Sequence, residues 1–160
     1  MTDNKQLEDM PTFGYGMFFG DFSVGQRLRT LARTVTETDL VNFIGVTGMT
    51  EVLFTDTTFE KGVGKAGRVV PAALSYTLME GLLCQTVIQG TGLALLELHK
   101  KILAPVVVGD TLHLELEILE ARPTSKGGRG ILTVRHDIIN QRGETVISYE
   151  ATRMIAMRNA

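Results

Sequence analysis

Leu112, Leu114, Leu116 and Ile118 alternate with Thr111, His113, Glu115 and Glu117, and this period of two constrains the chain more than any other feature. Successive side chains of a strand point to opposite faces, so the run predicts a sheet with one buried and one wet face. Leu132, Val134 and Ile138 repeat the pattern, as do Ile147, Tyr149, Ala151 and Ile155. Asn140-Gln141-Arg142-Gly143 reads as the hairpin turn between those two runs. Leu93 to Leu103 adds one more strand. Ahead of them, Pro71 to about Gln89 carries Leu74, Leu78, Leu82, Leu83 and Val87 at helical spacing, with small residues at Ala72, Ala73, Ser75 and Gly81. Pro71 suits the first position of a helix, where its missing N–H costs nothing. At about 1.5 Å per residue the helix would be roughly 28 Å long. It is apolar over more than one face, which makes it a core helix. The expected architecture is α+β: an antiparallel sheet wrapped around one long central helix.

The first half is less regular. Residues 1–17 are read as an N-terminal arm and 18–160 as one domain; aromatics between Phe13 and Phe22 would anchor a loop on the core. Leu28 to Thr36 has strand character. Thr36-Glu37-Thr38-Asp39 is a helix-start signal, because a threonine cap satisfies free N–H groups and the acids favour the positive end of the helix dipole. Leu40, Phe43 and Ile44 follow at helical spacing, and Gly45 and Gly48 end the helix. Residues 47–70 then form a long connection, and connections of this length in small domains are often functional.

With 160 residues, 16 basic against 18 acidic side chains and no basic block, the chain offers nothing that holds a polyanion, which excludes nucleic acid as an expected partner. No apolar run approaches the roughly 18 residues that span a bilayer, so no membrane is expected either. The polar start shows no signal peptide, and one cysteine, Cys84, forms no intrachain disulfide, so a cytoplasmic location is expected. Cys84 itself reads as a buried small hydrophobe.

Three motifs carry a resemblance. They are Asp21-Phe22-Ser23-Val24-Gly25, then Thr34-Val35-Thr36-Glu37-Thr38-Asp39 with Phe43 and Thr47-Gly48, then Pro105-Val106-Val107-Val108-Gly109-Asp110-Thr111-Leu112. In order and spacing they resemble the MaoC-like acyl-thioester dehydratases, single hot-dog proteins, over about residues 18–157. The resemblance implies a hot-dog fold and hydration of enoyl thioesters or dehydration of 3-hydroxyacyl thioesters. It implies an acyl-CoA or acyl-carrier-protein thioester as partner, no cofactor beyond that thioester, and a homodimer or higher homo-oligomer. In the active members an Asp and a His soon after [ST]-G hold the reacting water. Here those positions hold Met49 and Phe54, and neither side chain moves a proton.

What the resemblance leaves is a thioester-carbonyl site at Ala72, where a helix N-terminus offers an N–H to developing negative charge. Glu51 and Asp56 are the titratable groups of the loop. They either activate water, as tentative catalytic residues, or cap loop N–H groups. Gly48, Met49, Leu53 and Phe54 are the expected pocket residues, with interface packing as the alternative. Two rival functions follow: a non-catalytic acyl-CoA-binding subunit, and a thioesterase, for which one carboxylate suffices. Gly62-Val63-Gly64-Lys65-Ala66-Gly67 spells a dinucleotide-binding pattern outside any βαβ unit, and reads as a loop. Lys100, Lys101, Arg122, Lys126 and Arg129 are candidates for coenzyme A phosphates or are solvated turn charges. No metal site is expected, since His99, His113 and His136 have no ligand partners at metal spacing.

Overall fold

The computed structural model describes residues 12–158. The described residues form six strands: β1 (Arg27–Arg29), β2 (Arg33–Thr34), β3 (Gly92–Ile102), β4 (Thr111–Pro123), β5 (Arg129–Ile139) and β6 (Thr145–Ala156). Three α-helices accompany them: α1 (Glu37–Thr47), α2 (Val52–Thr55) and α3 (Ala72–Gln85). The sheet is antiparallel in the order β1-β4-β5-β6-β3, and β2 also pairs with β4. Among the described residues, no helix is long and apolar enough to cross a membrane. The N-terminal arm falls largely on residues 1–11, outside the described residues.

The alternation puts Leu112, Leu114, Leu116 and Ile118 of β4 on the buried face, in one cluster with Leu132, Val134 and Ile138 of β5 and Ile147, Tyr149, Ala151 and Ile155 of β6. Leu74, Met79 and Leu83 of α3 belong to the same cluster, so the helix lies in the curl of the sheet. This is the hot-dog arrangement. On the opposite face the strands carry exposed ion pairs, Arg135–Glu117 at 3.3 Å and Arg27–Glu115 at 3.2 Å. Such pairs add little stability but keep that face wet.

The local signals of α1 form as expected. Thr36 is the N-cap: its side chain accepts from the Asp39 N–H at 3.2 Å while the Asp39 carboxylate accepts from the Thr36 N–H at 2.9 Å. Gly48 ends the helix with φ at +71°, a left-handed value that glycine adopts without strain. Gly45 lies inside the helix and does not end it.

Four expectations are corrected. The strand expected at Leu28 to Thr36 is broken in two, because the Leu114 N–H donates to the Thr30 hydroxyl oxygen at 3.0 Å instead of to a backbone carbonyl and so interrupts the ladder to β4. Pro71 caps α3 from outside, being extended at ψ 134°. The helix stops at Gln85, giving about 21 Å at 1.5 Å per residue. Thr86 leaves helical geometry (φ −129°, ψ −80°) with its N–H on Leu83 O, and the lead-in segment packs on the turn beyond: the Met17 N–H donates to Val87 O at 2.8 Å and the Gly16 N–H to Gln89 O at 2.7 Å, and a Cβ on residue 16 would collide with the Val87 carbonyl. Cys84 is exposed, since the buried stripe of α3 runs through Leu74, Ser75, Met79 and Leu83 and leaves the next residue turned outward.

Asp110, from the third motif, ties three elements. It accepts from the Val107 N–H at 3.0 Å, from Gln141 Nε2 at 2.7 Å and from Arg142 Nη1 at 2.9 Å. Burial by itself would raise its pKa; these bonds and the Arg142 charge outweigh burial and hold the carboxyl below its ordinary 3.8. A depressed folded pKa lends stability above the unfolded value, and that stability is lost as pH falls through the folded one. The chain is therefore expected to weaken as pH drops below about 4, and Asp110→Asn should make that acid limb shallower. Guanidinium midpoints taken at pH values above and below this window check it; equal slopes in both proteins would remove Asp110 from the acid response.

Candidate active site

After Gly48 the chain turns into α2, a single helical turn. Glu51 is its N-cap, with Oε2 accepting from the Leu53 N–H at 3.1 Å. Asp56 closes the turn and accepts from the Thr58 N–H at 2.8 Å and the Thr58 hydroxyl at 2.7 Å. The Thr58 hydroxyl and then its amide pull the exposed Asp56 carboxyl below the usual aspartate range. Both carboxylates thus hold loop N–H groups, and neither side chain lines the cavity described next.

Leu53 and Phe54 of α2 form one wall of an open cavity of about 290 Å³. Val69, Val70 and Ala72, at the start of α3, form the floor. The far wall is Ile102 to Val106, the end of β3 and the run that follows it, with Ile147 of β6 behind. Val63, from the glycine-rich turn at Gly62–Ala66, completes the rim. Of the expected pocket residues, Leu53 and Phe54 line this space together with Ala72, the expected carbonyl-site residue; Gly48 and Met49 do not line it. The first N–H groups of a helix have no partner within it, and Ala72 is the first residue of α3, so a donor stands at the cavity floor.

Arg68 locks the loop in place. Its Nε and Nη2 hold Glu37 of α1 at 3.1 and 2.7 Å, and its Nη1 donates to the Phe54 carbonyl. The side chain that fixes the cavity wall is therefore anchored to the N-terminus of α1. Sequence reasoning did not find this clamp or the Ile102 to Val106 wall. The long apolar run after Leu103 was the available signal for the wall; a lone arginine 31 residues from Glu37 gave none for the clamp.

The remaining candidates lie elsewhere. His136 is buried in the core, its ring stacked on Tyr149 with centroids 4.4 Å apart. Burial first, and the Arg153 charge second, lower its pKa to about 3, so it stays neutral. Its Nδ1 finds no hydrogen-bond partner among the described residues. His99 pairs with Glu97 at 2.9 Å, and Lys100 sits over the Tyr76 ring at 4.1 Å. The basic candidates for phosphate split into two groups, Lys100 and Lys101 on β3 and Arg122, Lys126 and Arg129 around the β4–β5 hairpin. Among the described residues no three His, Cys, Asp or Glu side chains gather as metal ligands do.

A hot-dog sheet around one helix, with an open apolar cavity between the first loop and the helix start, defines the class. The chain matches the MaoC like domain over residues 21–138 and belongs to that family. It is 26% identical over 145 residues to the mesaconyl-CoA hydratase of Cereibacter sphaeroides, covering 90% of this chain and 42% of that one. The chain thus spans about two fifths of the length of that curated relative. An unliganded (R)-hydratase from Pseudomonas aeruginosa superposes with a TM-score of 0.70 at 26% identity, covering 90% of this chain and 88% of that chain. A Mycobacterium tuberculosis protein with a double hot-dog fold superposes with a TM-score of 0.79 at 19% identity, over 89% of this chain and 44% of that one, and shares the fold.

Proposed function

We propose that the chain binds acyl thioesters of coenzyme A with the acyl group in the cavity between α2 and α3, and that its own loop does not supply the acid/base pair of hydration. One observation carries this reading: the cavity has the Ala72 N–H at its floor and no titratable side chain in its lining. Binding needs apolar walls and one oriented donor; adding water to a double bond needs a group that takes up and returns a proton. The substrates named in the relatives do not come across with 26% identity and 42% coverage.

A second reading, hydro-lyase chemistry through Glu51 or Asp56, is favoured by their places at the two ends of α2, whose Leu53 and Phe54 line the cavity. A third, thioester hydrolysis, would use the same carboxylates. The purified chain should bind crotonyl-CoA in calorimetry without consuming its enoyl absorbance and without releasing thiol. Hydration well above the uncatalysed rate, lost in Glu51→Gln or Asp56→Asn, would overturn the binding reading in favour of the second; thiol release would favour the third.

A further inference from the structure

Arg68 joins opposite sides of the cavity. Its backbone runs into the floor and pairs with the continuation of the far wall. The Val108 N–H donates to the Arg68 carbonyl at 2.9 Å, Val69 bridges to Val107, and the Val70 N–H donates to Val106 O at 2.9 Å. Val69, Val70 and Val106 all line the cavity. The Arg68 side chain crosses to the near wall and donates to the Phe54 carbonyl on α2. One residue therefore spans from a wall held by backbone pairing to a wall built on a single helical turn.

The near wall depends on that span. Helix α2 has four residues and none is buried. Among the described residues, every other hydrogen bond of residues 51–58 joins groups within four positions of each other. Such bonds shape the turn without fixing it to the rest of the protein. Phe54 packs on the core, and Arg68 supplies the long-range polar tie.

The guanidinium is aimed from outside the cavity. Its Nε and Nη2 both donate to Glu37, at 3.1 and 2.7 Å, which fixes the plane and leaves Nη1 turned to Phe54. Two-point pairing of this kind uses the planar fork of arginine and is not available to an ammonium. The Arg68 side chain is 22% exposed and that of Glu37 52%, so salt reaches the pair from the Glu37 side.

We infer that Arg68 is a positioning residue that holds the near wall in its binding position, and that Glu37, outside the cavity, sets ligand affinity through it. This rests on the acyl-thioester reading above and adds the control of that site. A wall in place for only a fraction of the molecules weakens apparent affinity by that fraction. Without the Glu37 charge the guanidinium is free to turn to water, and the competent fraction falls.

The test is calorimetric titration of the full chain with crotonyl-CoA at several salt concentrations. At low salt Glu37→Gln should bind about threefold more weakly than wild type, with an unfolding midpoint close to wild type because the pair is exposed. Simple charge repulsion predicts the reverse, since removing a negative charge favours an anionic ligand. The two proteins should converge as salt rises from about 0.01 M to about 1 M, where the screening length shrinks from roughly 30 Å to 3 Å. In Arg68→Met the loss should reach about tenfold, Arg68→Lys should not restore it, and adding Glu37→Gln to Arg68→Met should change nothing further. Equal or tighter binding by Glu37→Gln at low salt, or a deficit that salt does not erase, would overturn the inference and leave the thioester reading standing. A wild-type chain that binds no crotonyl-CoA would overturn both. Wild type and Glu37→Gln decide the matter whether or not the Arg68 variants fold.

Discussion

Met49→Asp together with Phe54→His is expected to give the chain crotonyl-CoA hydration at least about 100-fold above either single variant, because positioned acid/base groups are worth roughly 10²–10⁴ in rate. The logic is subtractive. The resemblance locates the proton-handling pair of active relatives at these two positions, and the chain keeps the surrounding frame: Gly48 turning the end of α1, Arg68 holding the Phe54 carbonyl, and Ala72 beginning α3. Phe54 already faces the cavity, so a histidine there would share its wall. Met49 does not line the cavity, which makes the aspartate the more demanding half of the pair. An inactive double variant that still binds octanoyl-CoA would mean that more than two side chains separate this loop from a hydratase.

The second large effect lies in the core. Glu80 of α3 meets Arg153 of β6 at 2.6 Å and accepts the Tyr149 hydroxyl at 2.7 Å. Arg153 is buried, and burial followed by the Glu80 charge pushes the Tyr149 hydroxyl pKa upward, so the tyrosine stays a donor. Arg153→Met is expected to cost about 3–5 kcal/mol in denaturant unfolding, since it leaves a carboxylate under the sheet without its counter-charge. Adding Glu80→Leu to it should recover most of the loss, because replacing both ions by apolar groups of similar size is often close to neutral. A single variant that unfolds at the wild-type midpoint would show the pair to be energetically idle.

Most of the fold can be read from local pattern. The alternation in β4, β5 and β6 is set by which side chains meet the core, and the Thr36–Asp39 capping box by groups three residues apart. What escaped depends on partners far along the chain. Helix α3 ends at Gln85, where Thr86 leaves helical geometry and residues 16 and 17 pair with the carbonyls of Gln89 and Val87 beyond it, a contact that helical periodicity does not contain. The break after β1 comes from one hydroxyl, that of Thr30, substituting for backbone in the β4 ladder. Of the site, Leu53, Phe54 and Ala72 were legible because the motif fixes their spacing. Capping by Glu51 and Asp56 was one of the two alternatives legible there; which alternative holds depends on side-chain rotamers that loop geometry sets.

The sheet has unequal borders. At one end stands β1, three residues long; at the other, β3 runs for eleven residues with its outer backbone edge unshared among the described residues. A strand as long as β3 is a template on which another strand can be laid, and one as short as β1 is a poor one. Two copies joined along β3 would be left with the broken border at β4, which β1 covers only at Glu115–Glu117 and β2 only at Thr111 and Leu112. If two copies join along β3, the longer border is covered in both, and the border that remains is the poorer template for further addition.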